Sequence, residues 1–175
     1  MPQEYSVGMG DVHFHKGDAV FTALGLGSCI GLVMWDPVAR VGGMIHVMLP
    51  NHFADKPLDK VGKFADTGIP FMLDKLKTMG ASPTRIQVVY AGGAQVFSFP
   101  NRKEPKIEVG ARNIAAVEQL VKHFGLKVIA KDVGGSNGRT VIFNSSTGAV
   151  RVRTLSKGET TLCSLEAATA ARTGS

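Results

Sequence analysis

The sequence predicts an α/β fold, a single domain of mixed β-sheets flanked by two main helices. Two windows place apolar residues at helical spacing, and the other apolar residues fall in short β-rich runs broken by Gly, Pro and Asn. The chain has 175 residues, 44% hydrophobic and 19% charged, which is the size and composition of one globular unit able to bury a core.

Residues 4–9 and 12–15 read as a strand with loops, and 19–24 as a strand running into a glycine-rich turn. Residues 29–35 and 44–49 are short, apolar and rich in β-formers. The segment between them opens with Asp36-Pro37 and closes with Gly42-Gly43, the chemistry of a turn, so 29–49 reads as an antiparallel hairpin. Residues 51–60 are a charged, proline-containing loop. The recurrence of Ile69, Met72, Leu73, Leu76 and Met79 predicts a helix over 65–79 that stops at Gly80, with Pro70 near its start. A strand over 85–90 ends on Ala91-Gly-Gly-Ala94. Ile114, Val117, Leu120, Val121 and Phe124 share one face of a helix over 111–124, with Gly125 just past its end. Strands follow at 126–131, 140–143 and 149–155, about seven in all. Residues 156–175 lose apolar periodicity and read as a mobile tail after a domain of residues 1–155, its alanine-rich stretch 165–172 able to turn helical on a partner.

The chemistry points to the hairpin. Leu24-Gly-Leu-Gly-Ser-Cys29 puts a thiol after a flexible turn, and Met44-Ile-His46-Val-Met-Leu-Pro50 puts an imidazole inside an apolar strand. A thiol is only a few per cent ionised at neutral pH, and a neighbouring imidazole lowers its pKa and takes its proton. Gly27 and Ser28 let the backbone turn sharply and leave amides free to face an oxyanion. A turn centred on 37–39 sets residue 29 opposite a residue near 46, where facing Cβ atoms lie about 4.5–5.5 Å apart. A one-residue slip would send the two side chains to opposite faces. Cys29 and His46 are thus a candidate nucleophile and base. Such a pair suits a thiol protease, a small-molecule amidase, a methylesterase or a protein deamidase, since all proceed through a thioester.

Other features carry less. His13 and His15 share a strand face without a third ligand, so no metal is expected. Gly92-Gly93 and Gly134-Gly135 lack the pattern of a phosphate loop and read as tight turns; beside the hairpin, Gly92 and Gly93 would let a substrate helix come close. His52 falls at the rim of the site as a possible substrate contact. Cys163, far from Cys29 and without metal-type spacing, reads as a spectator, and both thiols as reduced. The net charge of +6 is scattered over Lys56, Lys60, Lys63, Arg102, Lys103, Lys106 and others, without interleaved aromatics, which suits solubility and then an acidic protein partner rather than nucleic acid. No apolar run is long enough to span a membrane and no signal peptide is evident, so a cytoplasmic location is expected.

From about residue 5 to 155 the chain resembles the CheD family of chemoreceptor glutamine deamidases. The resemblance rests on Gly-Leu-Gly-Ser-Cys29, Asp36-Pro37, Gly42-Gly43 and His46-Val-Met-Leu-Pro50. It continues through Lys63-Phe-Ala-Asp66, Ala91-Gly-Gly-Ala94, Ile107-Glu-Val-Gly-Ala-Arg-Asn113 and Asp132-Val-Gly-Gly135 with Arg139. It implies a layered α/β fold distantly like papain-like thiol enzymes, and hydrolysis of receptor glutamines by Cys29 and His46 without a cofactor; methylesterase activity stays open from the chemistry of the pair. The implied partners are the cytoplasmic helices of methyl-accepting receptors and a CheC-type phosphatase, which the chain would activate if it served as a regulatory binding module. Docking would use the face around Cys29, His46 and Gly92-Gly93, helped by Arg102 and Lys103. The family places a threonine in the form Thr-x-Gly-x-Gly-Ser-Cys to orient the histidine. Here that position holds Ala23, and the threonine is Thr22.

Overall fold

The computed structural model describes residues 2–95 and 108–165. Two five-stranded sheets face each other, and both helices cover the outer face of the second. The first sheet runs β1-β3-β8-β9-β10, from β1 (Gln3–Ser6), β3 (Ala19–Leu26), β8 (Arg139–Asn144), β9 (Ala149–Thr154) and β10 (Gly158–Ser164). The second runs β2-β5-β4-β6-β7, from β2 (Val12–Lys16), β5 (Val41–Val47), β4 (Ile30–Asp36), β6 (Gln87–Gly92) and β7 (Lys127–Val133). Both sheets are mixed: β1 lies parallel to β3 and β6 parallel to β7, while the other pairs are antiparallel. The predicted fold class is therefore the one observed.

Alternation along β4 explains the two cores. Leu32 and Met34 pack with Ile69, Met72 and Leu76 of α1 (Ala65–Thr78) and with Val117 and Val121 of α2 (Val109–His123). Gly31, Val33 and Trp35 face the first sheet, where Val33 and Trp35 meet Phe21, Ala23, Val141 and Phe143. Every residue of β4 and β5 is buried. A strand covered on both faces reads as one continuous apolar run, which is how these two announce themselves in the sequence.

The C-terminal segment departs from expectation. Residues 158–164 form β10, an edge strand antiparallel to β9, rather than the start of a mobile tail. Glu159, Thr160 and Thr161 are all exposed, so no apolar stripe marks it, and backbone pairing holds it instead. Leu165 is buried, and its amide donates to the Gly148 carbonyl at 2.6 Å. The stretch 166–175, where a helix on a partner was conceivable, lies outside the described residues, as do Arg102, Lys103 and Lys106.

The turn between β4 and β5 sets the register of the hairpin. Asp36 pairs with Val41, so residues 37–40 make a four-residue turn, one longer than a turn centred on 38 needs. Arg40 takes a left-handed φ of 59° to close it. The Asp36 carboxylate holds the turn by accepting the amides of Val38 at 2.9 Å and Ala39 at 3.1 Å. It also accepts the Ser82 amide at 2.9 Å and the Arg85 guanidinium at 3.1 Å. Burial pushes this fully buried carboxyl up, but Arg85 and the three amides outweigh it and hold its pKa below the usual range. A pKa lowered on folding contributes stability that is present above the unfolded carboxyl pKa of about 3.9 and is lost as pH falls through the folded value. Asp36→Asn is expected to cost about 2–4 kcal/mol in urea unfolding at pH 7. It should also flatten the fall in stability below about pH 4. An unchanged midpoint at pH 7 would show that the carboxylate does not hold the turn.

Candidate active site

The hairpin register places the candidate pair. His46 lies opposite Gly31, and Ile30 opposite Val47, so Cys29 follows on as the partner of Met48. Cys29 and His46 are thus diagonal neighbours on one face of the pair, a relation that spans about 7–8 Å between main chains and less between side chains. The direct opposition read from the sequence is replaced by this diagonal one: facing 29 with 46 would need a two-residue turn, and the observed turn is two residues longer, which keeps both side chains on one face. The shared face is the one toward the first sheet, where Cys29 packs against the inter-sheet core. Gly31 keeps the space between them free of a side chain of its own; a Cβ there would stand 3.2 Å from Leu26 and 3.5 Å from Ala23.

His46 is 3% exposed, and its ring is held by backbone. Its Nδ1 lies 3.0 Å from the carbonyl of Val7. A carbonyl only accepts, so Nδ1 carries the proton and Nε2 keeps its lone pair. The amide of Val7 in turn donates to the carbonyl of Thr22 at 2.8 Å. Thr22 therefore supports the histidine through its main chain, two hydrogen bonds away. Its side chain alternates with those of Phe21 and Ala23, which point into the inter-sheet core, so it faces the other side of the sheet. Ala23, in the family's threonine position, packs beside Gly31 and has no hydroxyl to offer.

The nucleophile turn is fixed by three successive carbonyls. Gly27 accepts from the Ala94 amide at 2.8 Å, and Cys29 from the Gly93 amide at 2.9 Å. Ser28 accepts from Asn113 Nδ2 at 2.9 Å, and the same nitrogen donates to Met48 at 2.9 Å. The amides of Ser28 and Cys29 make no hydrogen bond among the described residues. Two unpaired N–H groups beside a thiol are the donors an oxyanion requires.

The glycines do something other than admit a substrate. A Cβ on Gly92 would lie 2.1 Å from the Cys29 carbonyl oxygen, and one on Gly93 would lie 2.5 Å from Ile114. A Cβ on Gly110 would lie 2.5 Å from the Gly93 carbonyl. The close approach these glycines permit is made by the nucleophile turn and by α2, so the space is already filled. His52 is likewise occupied within its own loop. Its Nε2 donates to the Lys56 carbonyl at 2.9 Å, and its amide donates to Asp66 at 2.9 Å. His13 stacks on Tyr5, and His15 accepts or donates at 2.9 Å to the Tyr5 hydroxyl; among the described residues no three His, Cys, Asp or Glu side chains converge on a metal position.

Burial pushes the Cys29 thiol up rather than down. It also lowers His46, against the opposing pull of the Val7 carbonyl and the charge of Asp11. The resting pair is therefore thiol and neutral imidazole, not the thiolate and imidazolium that proximity alone suggests. Burial raises Cys163 as well, so acidity does not single out Cys29; His46 and the two free amides do. Beyond Met48 an open groove of about 520 Å³ runs between the 49–53 loop and α2, lined by Leu49, Pro50, Phe53, Phe64, Val109 and Arg112. Phe53 is 68% exposed at its rim.

Val7 and Asn113 escape a reading of the sequence for site residues. Val7 acts through its carbonyl, which no side-chain pattern reveals. Asn113 has a signal: a carboxamide in the buried stripe Gly110, Asn113, Val117, Val121 of α2.

Residues 48–154 match the family model described as CheD chemotactic sensory transduction. The chain is 41% identical over 152 residues to a probable chemoreceptor glutamine deamidase CheD of Desulforamulus reducens, covering 87% of this chain and 91% of that one. It is 42% identical over 159 residues to a protein of the same description from Desulfitobacterium hafniense, covering 91% and 98%. It is 42% identical over 153 residues to the chemoreceptor glutamine deamidase CheD of Thermotoga maritima, covering 87% and 93%. Among the described residues no helix is long and apolar enough to cross a membrane.

The pH dependence of kcat/KM follows from the two shifts. If neutral imidazole takes the proton of a neutral thiol, the profile rises through a His46 pKa below the ordinary value of about 6.5 and stays level past the ordinary thiol range of about 8.5. An acid limb centred above 6.5 in steady-state assays would contradict the neutral resting pair.

Proposed function

The chain belongs to the CheD family, and we propose that it is a chemoreceptor glutamine deamidase in which Cys29 attacks and His46 moves the protons. The observation that supports this most is the set of three pinned carbonyls at 27–29, which leaves the amides of Ser28 and Cys29 unpaired beside the thiol. His46 Nε2 takes the thiol proton as sulfur bonds to the δ-carbon of a glutamine side chain. The carbonyl oxygen becomes an oxyanion and meets the two amides, each such donor being typically worth about 2.7–4 kcal/mol in the transition state. The imidazolium then gives its proton to the departing nitrogen, and ammonia leaves a thioester. Water attacks that thioester with His46 again as base. Glutamate departs, and the thiol is restored.

The glutamine must be presented on a partner's surface, because the turn is closed from behind by α2 and the Gly92–Gly93 backbone. The apolar groove with Phe53 at its rim and Arg112 in its wall suits one side of a receptor helix. The two free thiols support a reducing compartment, the cytoplasm, as the site of the reaction. A CheC-type phosphatase docking over the same turn would suppress deamidation when added.

Mass spectrometry of a purified receptor fragment after incubation tests the chemistry, each event adding about one mass unit because NH2 is replaced by OH. Cys29→Ala and His46→Ala should each lower kcat more than about a thousandfold, because members of such a pair act as a unit. Thr22→Ala should stay within about threefold of the parent, as for a side chain outside the site. Full activity in Cys29→Ala would overturn the assignment. Phe53→Ala should raise KM about tenfold with kcat retained, the loss of one apolar anchor; an unchanged KM would remove the groove from the docking surface.

A further inference from the structure

Asn113 is fully buried on the core face of α2, in a stripe otherwise made of Gly110, Val117 and Val121. A carboxamide there costs free energy unless it is hydrogen-bonded, and an apolar side chain would pack without that cost. Both carbonyls it reaches can only accept, so the NH2 end must face Ser28 and Met48. Its Oδ1 is then left buried and without a partner. The side chain therefore tolerates an orphaned oxygen in order to make two donations.

Those donations fall on two particular peptide units. Ser28 immediately precedes Cys29, and Met48 follows the strand that carries His46. The Ser28 carbonyl and the Cys29 amide belong to the same peptide unit. The chain has no cis peptide bond among its described residues, so this unit is trans and planar, and its C=O and N–H point in opposite directions. Holding the carbonyl toward α2 aims the Cys29 amide away from α2. The Ala94 amide does the same for the preceding unit through Gly27, and so aims the amide of Ser28.

We infer that Asn113 is a positioning residue for deamidation: it orients the Cys29 amide as an oxyanion donor and ties the nucleophile turn to the end of the histidine strand. The inference rests on the Cys29–His46 mechanism proposed above. Asn113 does not touch the substrate. Its effect belongs to the step in which the glutamine carbonyl becomes tetrahedral, and not to the nucleophilicity of the thiol.

Two reactions of the same thiol separate these roles. Deamidation passes through an oxyanion, whereas alkylation by iodoacetamide displaces iodide as the S–C bond forms and develops none. Asn113→Asp keeps the shape and loses the donors when ionised; Asn113→Ala removes the side chain. Both are measured on the full chain for melting temperature, for kcat and KM on a receptor fragment, and for the alkylation rate of Cys29 resolved by peptide mass. In a folded variant kcat should fall about a hundredfold at unchanged KM, the loss expected for one oxyanion donor. The alkylation rate of Cys29 should stay within about twofold of the parent. Parental kcat in either folded variant overturns the inference. Alkylation falling in step with kcat also overturns it, since the turn itself has then moved, and unfolding of both variants makes the residue part of the core alone. Activity persisting in Cys29→Ala would instead refute the underlying mechanism, so the two failures are told apart.

Discussion

The four-residue turn at 37–40 governs more of the molecule than its position at the far end of the hairpin suggests. Side chains alternate along a strand, so a turn shorter or longer by one residue would send Cys29 and His46 to opposite faces. The buried Asp36 carboxylate closes that turn by accepting Val38 and Ala39, and anchors it to the segment that leads into β6 through Ser82 and Arg85. Because β4 and β5 are buried on both faces, slippage would also exchange the helix-facing set Ile30, Leu32, Met34 with the sheet-facing set Gly31, Val33, Trp35. Large apolar side chains would then meet space shaped for a glycine. Register is thus specified twice, by turn chemistry and by packing.

From that register the site assembles largely out of main chain. The histidine tautomer is set by the Val7 carbonyl, and the turn conformation by the amides of Gly93 and Ala94. Arg139 extends the same scaffold. Its guanidinium donates to the carbonyls of Asp132 and Asn137, and to that of Gly134, securing the loop whose Gly134 amide and Gly135 carbonyl bond to Gly92 and Gln95. The stretches 91–94, 108–113 and 132–139 converge here as successive supports behind the turn that carries Cys29.

The legible parts of the chain are those where a side-chain pattern states the physics. The continuous apolar runs of β4 and β5 and the amphipathic period of α2 with Gly125 after it read directly, as does the hairpin that carries both Cys29 and His46. Where backbone does the holding, the sequence is silent. Edge strand β10 needs only pairing to β9 and carries exposed threonines, so it resembles a tail. Gly92 and Gly93 signal close approach correctly, but nothing in a glycine names the approaching atoms, which are those of Cys29 and Ile114 rather than a substrate. The sign of the thiol shift also needs the structure, since proximity to an imidazole and desolvation act in opposite directions and only burial decides between them.

The junction of Gly92, Gly93 and Gly110 has an implication for how such a site can diversify. A methyl group at Gly92 or Gly110 would collide with backbone, and one at Gly93 with the Ile114 side chain from a left-handed φ of 69°, so larger residues are opposed there by sterics rather than by chemistry. Mutation therefore has no means of retuning the rear wall of the nucleophile turn by small steps. If the groove is the docking surface proposed above, new substrate preferences would be written there, on the 49–53 loop and the residues of α2 that line it. Under the proposed mechanism, chemistry and target choice would thereby fall to separate pieces of the chain, the first frozen by sterics and the second open to drift.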